Sequence, residues 1–394
     1  MNILFVAYHT CARAAKEARA LGKAGHQVII LQHVAASEEI LYSTELSSFY
    51  HGEQALRERI AYFSDWAEVI HVHNEPNWIV IAAAAERDRS CPGVPVVFDV
   101  HDLESMRESG DTDKDETAAI HAADAFIFPS RAYMHGVRTS RNVDSVPCRV
   151  IYSMCGRDEI VDQPLPRVNG IVYEGAAVAP LLNFNNKSPG WKGYRDYSSM
   201  TRALTGAFVP FHLYGIRKEF QQPYINAGAI VHDMIRYPDL LKQLSRYDWG
   251  LCGHLESHPQ WNKAMPNKLF EYLAAGIPVI SINADEVSDF VSKHGLGVVA
   301  KDLNELNKIA RDRKMRSSLA EKVEDERERF TMGGQVNEIE ALYAQASAYR
   351  KIRLDAGMWM HDGEQRPGAD RAWVCSARPE DFAKDNGGGD QLLS

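Results

Sequence analysis

The sequence predicts an α/β protein of two doubly wound domains, and three observations carry that expectation. Short apolar runs alternate with amphipathic stretches through both halves, as strands of a parallel sheet covered on both faces alternate with crossover helices. A polar break with two prolines, GRDEIVDQPLPRVN at 156–169, separates the halves. The 394 residues exceed the roughly 250–300 over which a single core keeps growing.

In the first half, residues 3–7 (ILFVA) read as a strand, 12–25 as a helix stopped by glycine, and 27–31 as a second strand. That opening is Rossmann-like. Helices follow at 53–67, 78–89 and 116–123, with strands at 69–72, 95–100, 125–128 and 149–152. The second half restarts with strand 170–173, then helix 197–204, strand 210–214, a short strand 229–232, helix 237–245 and strand 249–253. The expected division is a first domain at 1–155, a linker at 156–169 and a second domain at 170–337. A helix at 338–355 is expected to return to the first domain, followed by a partly mobile tail at 356–394 that is rich in Gly and Asp late on.

Composition narrows the function classes. Residues are 45% hydrophobic and 25% charged, as in an ordinary globular chain, and the net charge of -9 argues against a broad nucleic-acid or anionic-membrane footprint. Four arginines, Arg131, Arg138, Arg141 and Arg149, form a local basic cluster that reads as a solvated face. The six cysteines show no C-x-x-C pair and no dense disulfide spacing. With no basic leader and no apolar run of about 18 residues, the expectation is a cytoplasmic protein whose membrane contact, if any, is peripheral.

The most informative stretch is MPNKLFEYLAAGIPVI at 265–280. Pro266 presets φ for a helix start, Asn267 and Lys268 open the first turn, and unpaired N–H groups there favour an anion such as a phosphate. Leu269, Phe270, Leu273 and Ala274 form a buried stripe, Gly276 permits a left-handed stop, and Pro278 to Ile282 reads as a buried strand. The stretch resembles the donor-nucleotide motif of GT-B glycosyltransferases, especially the retaining family-4-like group, over about sixteen residues. The resemblance implies a GT-B fold, two Rossmann-like domains facing a central cleft. It implies a nucleoside-diphosphate-sugar donor, UDP- or GDP-sugar foremost, no tightly bound cofactor and no metal. It also implies a hydroxyl acceptor, which is left open among glycan, lipid, small molecule and modified nucleic acid.

On that resemblance Glu271 holds the nucleotide ribose, and backbone near Pro266, Asn267, Lys268 and Leu269 holds the diphosphate. Gly175 follows a strand and lets backbone approach the phosphates. Arg195 is preferred over Lys192 as their counter-charge, Tyr214 ends the next strand, and Met234 and Ile235 lie where the family reads the base. His101, after strand 95–100, corresponds to the family histidine beside the transferred sugar, with Asp102 next to it. Retaining members often carry a glutamate eight residues before the position of Glu271. Here Lys263 stands there behind Asn262, so both are candidate catalytic residues and the stereochemistry is left open.

On the acceptor side the candidates are His9, Thr10, Arg13, His73, Asn74 and Glu75. The loop after the first strand, YHTCAR, has no glycine, which argues against a dinucleotide fingerprint. It also departs from the glycine pair of many family-4-like enzymes. His71 and His73 share one face of a strand, yet no third or fourth metal ligand is declared nearby. A GT-B nucleotide-sugar 2-epimerase and a non-catalytic sugar-nucleotide-binding scaffold are the alternative readings.

Overall fold

The computed structural model describes residues 1–34, 46–73, 76–101, 113–141, 143–175, 177 and 195–357. Two all-parallel sheets organise them. The first contains β1 (Asn2–His9), β2 (Gln27–Val34), β3 (Leu46–Phe49), β4 (Val69–His73), β5 (Val96–Asp99), β6 (Ala125–Phe128) and β7 (Cys148–Val150), in the order β3-β2-β1-β4-β5-β6-β7. The second contains β8 (Ile171–Glu174), β9 (Phe211–Tyr214), β10 (Ile230–Val231), β11 (Trp249–Gly253), β12 (Val279–Ile282) and β13 (Gly297–Val299), in the order β10-β9-β8-β11-β12-β13. Strand order reverses between β1 and β4 and between β8 and β11, and in such sheets ligands bind beyond the carboxyl ends at these points.

Alternation sorts the side chains of β1 between two cores. Leu4 and Val6 join Ile70, Val72, Val96 and Phe98 on one face. Ile3 and Phe5 point to the other, which the Ala12–Lys23 helix and the Val336–Asp355 helix cover with Ala18, Leu21, Ile339, Leu342 and Ala346. The expected returning helix thus packs on the first sheet. Arg350 contacts Asp88 and donates from Nε to Pro92 O at 2.9 Å, and Arg353 pairs with Asp124 at 3.0 Å.

Several elements differ from expectation. The Lys218–Asn226 helix contains Pro223, which argues against a helix when read in isolation. The Asp285–His294 and Leu303–Arg311 helices and the edge strands β3 and β13 were not assigned. In the charged stretch 311–329, Arg313–Glu326 is helical, and Arg327 then turns inward, buried, donating to Val161 O at 2.9 Å. In the basic cluster, Arg138, Arg141 and Arg149 pair with Asp144, Glu116 and Glu338. The tail from 358 onward lies outside the described residues. No described helix is long and apolar enough to cross a membrane.

Candidate active site

Beyond the carboxyl ends of β1, β4 and β5 lies a buried charged cluster. Parallel register sets His73 beside Asp99, and period-two alternation puts His71 on the same face, under the first turns of the Ala12–Lys23 helix. That helix brings Arg13, whose Nε donates to both Asp99 oxygens at 3.0 and 2.8 Å. Arg13 Nη1 donates to Ile151 O at 2.8 Å, and Nη2 lies 3.1 Å from Glu17. Asp99 and Glu17 are fully buried. A buried carboxylate survives only with such pairing.

The cluster sorts its protons. Burial would raise Asp99, but Arg13 and then His101 hold it well below the usual carboxylate range. Glu17 is pushed well up by burial and by the neighbouring Asp99. Burial and the charge of His71 push His73 down to about 3. His101 takes the opposite course: burial opposes its charge, yet Cys11 and Asp99 raise it to about 10. Its Nδ1 lies 3.6 Å from Cys11 Sγ, and its Nε2 lies 3.0 Å from His73 Nδ1 and 3.6 Å from Asp99. His71 Nδ1 shares a 2.7 Å hydrogen bond with Tyr343 of the returning helix.

Glu17, His71, His73 and Asp99 offer four donor atoms within 4.8 Å of one another, so the further ligands that local sequence did not declare come from another helix and another strand. Arg13 lies on both carboxylates and supplies the positive charge between them.

A second cluster lies beyond β8 and β11. Glu271 is buried on the Asn267–Ala274 helix and accepts from Lys16 Nζ at 3.2 Å, across from the first half. Burial would raise Glu271, but Lys16 and a hydrogen bond with Glu174 lower it. Glu174 is raised well above its ordinary value by burial and by Glu271, so it carries the proton of the pair. Lys268 Nζ lies 3.4 Å from Tyr173 OH and 4.4 Å from that ring's centroid. Gly175 has φ +131, and a Cβ there would meet Lys268 Nζ at 3.0 Å, so glycine keeps the backbone close to the ammonium. Ser130 donates to Lys263 O, and Glu286 accepts from Ala132 N at 2.7 Å, so the carboxyl end of β6 also meets the second half.

The other candidates divide clearly. His9 is exposed at the end of β1. Thr10 is buried and donates to Gln32 at 2.7 Å, Arg13 is engaged on Asp99, and His73 is buried. The structure therefore turns Thr10, Arg13 and His73 into the sheet rather than out to an acceptor. Asn74, Glu75, Asp102 and Lys192 lie outside the described residues. Asn262 and Lys263 line a cavity of about 440 Å³ with Ala132, Pro259, Asp285, Glu286 and Asp289. Tyr214 is buried and bonds Tyr247 OH at 2.7 Å, Met234 is exposed, and Ile235 packs partly on the core. Pro266 and Asn267 are half-buried at the helix start. Leu269 is a correction: its side chain is core and its N–H bonds Pro266 O at 3.2 Å, so it has no free donor for phosphate. Arg195 is half-buried before the Ser198–Gly206 helix.

Sequence reasoning singled out none of Lys16, Glu17, Cys11, Asp99 and His254 for the site. His254, buried at the end of β11, donates from Nε2 to Asp196 O at 2.7 Å and accepts at Nδ1 from Glu256 N at 3.0 Å, pinning the two loops beside Arg195 and Glu256. The one available signal was its place directly after an apolar strand.

Residues 13–154 match the family model described as Glycosyltransferase Family 4, and residues 193–334 match that described as Glucosyltransferase 3-like, C-terminal domain. No curated protein matches the chain. Among solved structures, Anabaena HepE in complex with UDP superposes with a TM-score of 0.65 at 15% identity, over 86% of this chain and 100% of that one. An alpha-glucosyltransferase in complex with UDP-glucose and DNA containing an abasic site gives 0.62 at 11% identity, over 86% and 98%. WaaG, a glycosyltransferase involved in lipopolysaccharide biosynthesis, gives 0.60 at 12% identity, over 86% and 99%. At such identities the likeness is one of fold. With that fold and with both halves matched to glycosyltransferase families, the chain is a GT-B glycosyltransferase.

Proposed function

We propose that the chain transfers a sugar from a UDP-sugar to an acceptor hydroxyl, with the donor seated beyond β8 and β11 and the acceptor entering from the β1–β5 side. The observation that carries this reading is the buried Glu271, kept ionised by Lys16 and Lys268 at the mouth of a parallel sheet. An ionised carboxylate in a water-poor cleft accepts hydrogen bonds from vicinal hydroxyls such as those of a ribose. UDP is preferred over GDP because HepE and the DNA-bound alpha-glucosyltransferase carry UDP or UDP-glucose.

Lys268 and the start of the Asn267–Ala274 helix, with Arg195 beside it, stabilise the departing diphosphate as charge develops on it. These fixed positive groups fill the part a metal plays in other transferases. His101, raised by Cys11 and Asp99 and engaged through both ring nitrogens, does not serve as a base, and in this reading it is its backbone carbonyl that is offered to the transferred sugar. In a retaining transfer the acceptor proton passes to a donor phosphate oxygen, which requires no carboxylate at Lys263. Asn262, lining the cavity beside Lys263, bonds a sugar hydroxyl in this reading. Domains at 1–155 and 170–337, joined by 156–169 and strapped by 338–355, close around the two substrates.

Titration calorimetry with UDP-, GDP-, ADP-, CDP- and TDP-sugars tests the reading. Selective binding of the UDP-sugar, weakened at least about tenfold by Glu271→Ala, is expected, since hydrogen bonds to a charged group contribute about 1.5–3 kcal/mol. Unchanged affinity in that variant would sink the donor-site assignment.

A further inference from the structure

With Thr10, Arg13 and His73 turned into the sheet, a different group of side chains stands at the acceptor edge. β1, β2 and β3 end side by side, His9 aligned with Val34 and Gln32 with Phe49. Period-two alternation puts Tyr8 and His33 on the face that carries Leu4, Val6, Ile29 and Leu31, one step further toward the carboxyl ends. The Tyr8 and His33 rings lie 4.6 Å apart at 36°, and His33 meets the ring of Tyr50 at 5.6 Å and that of His51 at 5.8 Å. Tyr50 is the buried support: its hydroxyl donates to Ala7 O at 2.9 Å, and its carbonyl accepts from His33 Nδ1 at 3.0 Å. Tyr8 and His33 are half-buried, and His51 is exposed. Among the described residues nothing bonds the Tyr8 hydroxyl, His33 Nε2 or the His51 ring nitrogens. These rings form a shelf of aromatic faces with open polar tips, beside the helix whose Lys16 reaches Glu271.

Charge narrows what the shelf takes. β1, β2 and β3 contain no Lys, Arg, Asp or Glu. Arg13, beyond β1, is committed to Asp99, and Arg57 of the Gly52–Tyr62 helix pairs with Glu53 at 2.6 Å. Nucleic acids and anionic lipids are held by Lys and Arg on their phosphates, and these strands offer neither. A sugar ring suits the shelf: its C–H groups pack on aromatic faces, which carry the negative side of the ring quadrupole, while its hydroxyls bond the polar tips. Resting on the transfer reaction put forward above, we propose that Tyr8, His33 and His51 form the acceptor subsite and that its ligand is the terminal sugar of a neutral glycan or glycoside. Tyr8 supplies the broad stacking face, His33 holds the middle of the shelf against Tyr50, and His51 bounds its outer edge.

The experiment records saturation-transfer difference NMR of the full-length protein, with and without UDP, against methyl glycosides and short neutral oligosaccharides of glucose, galactose and mannose. A single-stranded DNA oligomer and phosphatidylglycerol vesicles, read by gel shift and co-sedimentation, stand for the anionic acceptor classes. Transfer to the C–H protons of one face of a glycoside is expected, and loss of a stacked ring in Tyr8→Leu or His51→Ala should weaken its binding about five- to tenfold. His51 is exposed, so its replacement spares the core, and calorimetry with UDP on both variants checks that the donor half is intact. A glycoside bound equally well by both variants overturns the proposal, as does binding of DNA or vesicles with no glycoside bound. A protein that binds UDP and no glycoside sinks the shelf alone. One that binds a glycoside through Tyr8 and His51 but no UDP supports the shelf and sinks the donor assignment instead.

Discussion

The two buried charge clusters differ in what closes them. In the first half, Arg13, Asp99 and Glu17 sit within one sheet and its helix, and every strong pair is internal to that half. In the second, Glu271 is paired with the protonated Glu174, while Lys16, the cation that donates to it at 3.2 Å, comes from the opposite half. A cluster closed within one sheet holds that sheet's architecture whatever the cleft does. A cluster whose counter-charge comes from the other half changes its protonation when that contact is broken, and under the proposed function this ties the meeting of the halves to the charge offered to a donor.

The largest break of this contrast is Arg13→Met. It strips the fully buried Asp99 of its nearest counter-charge, leaving only His101 at 3.6 Å, and is expected to cost about 3 kcal/mol of stability, read as a lower urea midpoint. Lys16→Met is expected to leave stability closer to wild type and to act on the donor instead. Without Lys16, Glu271 faces Glu174 less compensated and its pKa rises, so nucleotide affinity measured by calorimetry from pH 8 down to 5 should begin to fall at a higher pH than in wild type. An identical pH profile in that variant would erase the distinction between the clusters.

Acid sharpens it further. His71 and His73 are held neutral by burial, His73 down to about 3, so below about pH 6.5 the unfolded chain takes up protons that the folded chain refuses. Asp99, depressed by Arg13, adds a loss as pH falls through its folded value. The histidine contribution should therefore decline from about pH 6.5 downward. It is opposed by Glu17 and Glu174, whose raised folded values let the folded chain take up protons first. The expected outcome is a shallower loss, or a gain, in His73→Asn relative to wild type, as checked by urea melts at pH 7, 5.5 and 4.5. The smallest effect is expected of Tyr343→Phe, which removes the 2.7 Å bond to His71 at about 1 kcal/mol.

Much of the scaffold was legible because parallel strands buried on both faces announce themselves as apolar runs: β1, β4, β6 and β11 all sit where such runs are. The helix-to-strand junction at 265–280 was legible for a related reason, since proline, the apolar stripe and glycine each act locally. Pairings across sequence were not legible. Asp99 reads as a stray carboxylate inside β5 until register sets it beside His73 and the first helix lays Arg13 over both. Lys16 reads as a surface lysine until the halves meet at Glu271. Edge strands such as β10, two residues long, carry too little pattern to bound, and Pro223 disguises a helix.

The returning helix, Val336–Asp355, has a consequence for how the chain is made. It supplies Tyr343 to His71 and Arg350 to Asp88, together with a row of core side chains on the first sheet. During synthesis the first half therefore leaves the ribosome well before the segment that covers its open face. Until the Val336–Asp355 helix emerges, the ring of His71 and the carboxylate of Asp88 lack partners that the finished molecule gives them. Completion of the earliest part of the chain is thus timed by its latest, and a stop shortly before Val336 should yield a nascent first half that chaperones retain.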